Sequence, residues 1–140
     1  MITRILTRGT LIAVLATALT GVAVAEEVDG TIAAGKTRFM NNCAVCHGPD
    51  AKGRGIVAGH LNKAPTDLTQ LTKSNDGKFP FMRVYETIDG REHIGAHGNR
   101  EMPVWGAEFK LGAPTAGGMS ESIVRGKILE LIIYLESIQE

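Results

Sequence analysis

An all-α domain of three to five helices is the fold this 140-residue sequence predicts. Two observations carry the prediction. Apolar residues recur at helical spacing in three separate stretches, and a Cys-x-x-Cys-His motif follows directly on the first of them. A third observation is a shortage: one Trp, two Tyr and four Phe are few for a core. A large flat group held by the motif would fill part of the interior and bring a short chain within reach of stability.

The first 25 residues read as a secretory leader rather than as part of the fold. Arg4 and Arg8 form a basic start, Leu11 to Leu19 an apolar centre, and Ala23-Val24-Ala25 a cleavage site, so cleavage is expected before Glu26. The two arginines are not adjacent, which gives no support to a twin-arginine signal. The apolar stretch is also short of the ~20 residues a membrane span needs. Removing the leader leaves 115 residues, numbered 26–140, enough for one domain. Arg4 and Arg8 go with it, so 13 basic residues face 15 acidic ones and the net charge is about −2. That balance argues against a nucleic-acid partner.

The first helix is expected from Thr31 to Asn42, where Ile32, Gly35, Phe39 and Met40 share one spacing pattern. It runs into Cys43-Ala44-Val45-Cys46-His47, the arrangement that attaches c-type haem. Each thiol adds to one vinyl group of the porphyrin, and the adjacent imidazole of His47 is placed to ligate the iron. Competing readings of the motif are weaker. A zinc site wants four protein ligands, and the chain has only these two cysteines. A thioredoxin-like pair wants a preceding strand, whereas a helix is expected here.

Gly48-Pro49 breaks the helix, and Gly53, Gly55 and Gly59 make a loop over one haem edge. Pro65-Thr66-Asp67-Leu68 starts a short helical turn. After the turn signal Asn75-Asp76-Gly77, Pro80 is expected as the first residue of a middle helix. Phe81, Val84, Tyr85 and Ile88 follow at helical spacing, and the helix stops near Gly90. Arg91 to Gly118 is rich in Gly and Pro, lacks periodicity, and reads as one long functional loop. Ser120 is expected to cap a terminal helix whose face is Val124, Ile128, Leu131, Leu135 and Ile138. Gly126 inside it is tolerable if another backbone approaches there.

The sixth position on the iron decides between electron transfer and ligand chemistry. Of the methionines outside the leader, Met40 and Met82 lie in helical patterns that suggest core filler, and Met119 borders the last helix. Met102 stands in the long loop before Pro103, which holds Met102 to extended angles, and is the expected ligand. His93 or His97 is the alternative, with a lower reduction potential. His60 carries no usable pattern.

With these residues in hand, the chain resembles a class I cytochrome c of the exported bacterial type across nearly all of residues 26–140. Gly35 and Phe39 resemble the family's first helix, and Ile132-Ile133-Tyr134-Leu135 its last, where glycine and aromatic meet as the helices cross. The resemblance implies a cytochrome c fold wrapped around one covalent haem c. It implies Met102-Pro103 as the distal ligand loop, Trp105 at a propionate edge, and Pro65 as the residue whose carbonyl takes the Nδ1 proton of His47. The stretch from Arg83 to Arg100 is longer and more polar than a minimal member needs, which leaves room for a partner surface.

The expected function is a periplasmic single-electron carrier, not an enzyme, that exchanges with other redox proteins: a dehydrogenase, an oxidase or another cytochrome. A haem subunit bound to such a complex is the second reading. A peroxidase or gas-binding protein, with His93 or His97 over an open iron, is the third. Lys36, Lys52, Arg54 and Lys63 would form a modest docking patch near the exposed haem edge.

Overall fold

The computed structural model describes residues 19–91 and 102–140, with side chains from residue 26 onward. Among the described residues there are five α-helices: α1 (Leu19–Asn42), α2 (Ala44–His47), α3 (Phe81–Asp89), α4 (Trp105–Glu108) and α5 (Met119–Ser137). Short 3₁₀ turns stand at Ala58–His60, Leu68–Gln70, Lys73–Asn75 and Ala116–Gly118, and no strand occurs among the described residues. The all-α expectation holds.

The core is the crossing of α1 and α5. Phe39, Val124, Ile128, Leu131 and Ile132 are the largest fully buried side chains. Gly35 makes the crossing possible: a Cβ there would lie 2.0 Å from the Glu130 carbonyl oxygen and 2.8 Å from Tyr134 Cβ. One turn on, the rings of Phe39 and Tyr134 meet with centroids 5.4 Å apart. Arg38 donates to Glu130 from the edge of the same contact. Glycine and aromatic therefore do the work in α1 and α5 that the resemblance implied.

Several boundaries differ from the sequence reading. α1 starts at Leu19, well ahead of Thr31, although residues 26–30 are all exposed. With residues 26–30 exposed, no buried stripe marks that part of the helix in the sequence. No helix among the described residues is long and apolar enough to cross a membrane. Met40 and Met82 are not core filler: they are 44% and 61% exposed. Pro80 caps α3 from outside, with ψ at 62°, and its carbonyl accepts from Val84 N–H at 3.0 Å. Gly90 ends the helix at φ 66°, as expected. Ser120 is not the cap of α5 but lies buried in its first turn, and Gly118 at φ 74° precedes the helix. Gly126 meets no described atom within 4 Å of a built Cβ, so no backbone approach explains it.

The stretch from Arg91 to Gly118 is not one loop. It contains α4 and a 3₁₀ turn, and α4 buries Gly106 while Phe109 just beyond it is 6% exposed. One turn of helix is too short to show a period, and tertiary contacts hold it instead.

The chain's last residues brace the turn on the opposite side. Gln139 donates to the Leu68 and Leu135 carbonyls at 2.8 and 2.6 Å, and its Oε1 accepts from Thr72 N–H at 2.9 Å. Lys52 and Gln70 donate to the Glu140 carboxylate. Asp67 caps the Leu68–Gln70 turn, accepting from Thr69 N–H at 2.9 Å and from its hydroxyl at 2.7 Å. Residues 65–72 are thereby fixed against both α5 and the loop after α2.

Candidate haem site

α1 delivers the motif. Its hydrogen-bond ladder continues through Cys43 N–H to Phe39 O at 2.8 Å, and α2 then carries Cys46 and His47 on a single turn. Gly48 ends that turn with φ 80° and donates to Ala44 O at 2.9 Å. The following loop folds back along the motif: Gly55 N–H donates to Cys46 O at 3.0 Å and Val57 N–H to Val45 O at 3.1 Å.

A cavity of about 720 Å³ opens beside this turn. Its lining includes Cys43, Cys46 and His47, the run from Leu61 to Thr66, and Thr87, Met102, Pro103 and Trp105. All six residues expected to hold or border the group, Cys43, Cys46, His47, Pro65, Met102 and Trp105, line this one cavity. Among the described residues, Met102 is the single methionine on its wall, and His60 is absent from it. His93 and His97 lie outside the described residues. Lys63, expected in the docking patch, lines it as well, and so do Asn42, Asn62 and Thr87, polar positions that no sequence pattern marked. Trp105 is half-buried and packs on Phe109, centroids 5.5 Å apart.

The imidazole is oriented through its back nitrogen. Nδ1 of His47 lies 3.1 Å from the Thr66 carbonyl, which only accepts, so Nδ1 carries the proton and Nε2 keeps its lone pair. This corrects the assignment of that carbonyl to Pro65. Pro65 O is turned onto Gly53, where a Cβ would meet it at 2.2 Å, and Gly53 N–H donates to His47 O at 2.7 Å. Burial lowers the His47 pKa, partly opposed by the Thr66 bond, which favours the neutral ring that a metal needs.

Burial, and then the neighbouring Cys46, push the Cys43 thiol up to about 12. A dithiol redox pair requires the opposite, a thiol tuned down toward thiolate. No disulfide joins Cys43 to Cys46. Among the described residues, no group of three or more His, Cys, Asp or Glu side chains is placed to hold a bare metal ion. Two thiols on one wall, a neutral nitrogen donor beside them and a soft sulfur on the same cavity fit a covalently held haem. The volume lies within the usual range for a cofactor cleft.

A family model described as Cytochrome c matches residues 32–119, well over half of the chain. The chain belongs to the cytochrome c family. This c-type cytochrome accordingly carries covalently attached haem c with its iron and serves as a haem-containing electron carrier. No curated protein and no solved structure matches the cytochrome. The matched span begins at Ile32, a partly buried residue of α1 packed against the core, and covers the motif and Met102.

Proposed function

We propose that this cytochrome is an exported, periplasmic single-electron carrier whose iron is held by His47 and Met102, with Cys43 and Cys46 as the points of attachment. The observation that carries the reading is that a neutral imidazole nitrogen and one thioether line the same cavity as both thiols. Bound haem supplies a one-electron iron couple, and the surrounding residues set how readily it is used. Donation from Nδ1 to the Thr66 carbonyl makes Nε2 of His47 a stronger donor and fixes the ring plane. The thioether of Met102 favours the reduced state and raises the potential. Leu61, Pro65, Pro103 and Trp105 limit water on the walls. Electrons pass at the edge beside Cys46, where Val45 and Ile56 are 47% and 85% exposed.

The partner is a second redox protein, and the cytochrome meets it as a diffusing carrier rather than as a fixed subunit. Lys52 is paired with Glu140 and Arg54 with Asp50, so two of the four cations of the docking patch expected from the sequence are neutralised. A weakly charged face fits brief encounters.

The test compares absorption spectra of the haem-loaded protein and Met102→Ala, oxidised and reduced, with carbon monoxide added to the reduced samples. The wild type should be low-spin, show the weak far-red sulfur-to-iron band when oxidised, and ignore the gas. The variant should lose the band and bind it. A wild type that takes up carbon monoxide readily would return the gas-binding or peroxidase reading.

A further inference from the structure

Four charged side chains meet around one glycine close to the distal wall. Asp89 closes α3, and Arg91 donates to it twice, Nε to Oδ1 at 2.5 Å and Nη2 to Oδ2 at 3.2 Å. The Nη1 of the same guanidinium spans both oxygens of Glu121, in the first turn of α5, at 3.0 and 2.8 Å. Lys110, just past α4, adds a contact from Nζ to Glu121 Oε1 at 2.6 Å. Gly106 of α4 is pressed into this arrangement. A Cβ there would lie 1.7 Å from Asp89 Oδ1 and 2.6 Å from Arg91 Nε.

Isolated surface ion pairs contribute little, but this one differs in geometry and setting. The guanidinium fork is shared by two carboxylates from different helices, and the Asp89 and Arg91 side chains are only 15% and 27% exposed. Lys110 and then Arg91 hold the Glu121 carboxyl down at about 2, so the charges persist at any ordinary pH. The ends of α3 and α5 are tied together, and α4 is held against the knot with no space for a side chain between. α4 begins three residues after Met102, joined to it through Pro103, and Trp105 N–H donates to Pro103 O at 3.1 Å. Met102 itself packs against the core.

We propose that Arg91, with Asp89 and Glu121, acts as a positioning residue for the distal ligand: the knot fixes α4, and α4 in turn keeps Met102 on the cavity wall. The inference rests on the reading of Met102 as the axial ligand. An external ligand competes only with the fraction of molecules whose thioether is off the iron, so a looser α4 raises the apparent affinity of that competitor.

The experiment measures imidazole binding to the oxidised haem-loaded protein, the far-red band and the melting temperature. It compares wild type, Arg91→Gln, Glu121→Gln, and Glu130→Gln as a control that breaks the Arg38 pair between α1 and α5. Arg91→Gln should bind imidazole about tenfold more tightly and Glu121→Gln about threefold, while Glu130→Gln matches the wild type whatever its melting temperature. If Arg91→Gln does not load haem, Glu121→Gln decides alone, since it keeps the Asp89 pair. Unchanged imidazole affinity in the clamp variants, or an equal rise in Glu130→Gln, overturns the proposal. A wild type without the band, by contrast, removes Met102 as the ligand and the clamp's role with it.

Discussion

At Gly53 the backbone runs at φ 77° with the Pro65 carbonyl where a side chain would start, so the loop after α2 and the strip around Thr66 lie against each other. Gly53→Ala forces both to move: the left-handed angle strains an L residue, and the new methyl meets backbone that cannot rotate away. We expect a stability loss of about 1–3 kcal/mol by thermal melting, together with a shift in reduction potential as Thr66 O leaves Nδ1. A destabilised variant with the wild-type potential would mean that this carbonyl does not tune His47. Gly126 is the opposite case, a helix glycine with open space around it among the described residues. Gly126→Ala should raise stability by about 0.5–1 kcal/mol, seen as a higher melting temperature. At this scale the sequence is legible where chemistry is written in side chains. Cys43, Cys46, His47 and Met102, which line one cavity, were legible as candidates because thiol, imidazole and thioether are rare and purposeful. Thr66 was not, because its contribution is a carbonyl that every residue owns, and only the turn of Pro65 onto Gly53 selects it.

Among the elements, α3 and α5 announce themselves because each keeps a buried stripe over several turns, whereas α4 gives no such signal. Its single turn is held by Gly106 against Asp89 and Arg91, and by the Phe109 ring, which has the Arg38 guanidinium 5.7 Å and the Lys127 ammonium 5.6 Å from its centroid. The upstream extension of α1 was equally hidden, since exposed turns leave no apolar period. Gly35→Ala tests the crossing of α1 and α5. The methyl would run into the Glu130 carbonyl, and separating two packed helices should cost about 3 kcal/mol, read from denaturant unfolding. Acid should loosen the join between α3 and α5. Glu121 titrates at about 2 in the fold, held down by Lys110 and Arg91, against 4.5 for a free glutamate. The stabilisation is therefore complete above about pH 4.5 and is lost as the pH falls through about 2. Acid titration followed by circular dichroism should show wild type and Glu121→Gln converging at the acid end. A gap between them that stays constant down to pH 2 would contradict the assigned shift.

At the scale of the whole molecule, the pairing of Lys52 with Glu140 and of Arg54 with Asp50 weakens the directed charge near the haem edge among the described residues. Electron exchange with a partner protein, followed by stopped flow, should change by less than about threefold between low and high salt, whereas a steered encounter falls steeply. The pairing of α1 with α5 has a different consequence. Arg38 and Glu130 touch although 92 residues separate them, so this contact closes a loop around the motif, the cavity and α3. Chain entropy alone sets about 4 kcal/mol against closing a loop of that length. What repays it is the group of side chains at the crossing that are nearly inaccessible to water, Phe39, Val124, Ile128 and Ile132. Reopening the ring would have to expose all of them together. Backbone amides in residues 35–42 and 124–135 should therefore exchange with deuterium only through global unfolding, while those from 105 to 118 trade their protons through smaller, more frequent openings. The clasp at Gly35 thus sets the lifetime of the enclosed site, although no atom of that glycine reaches it.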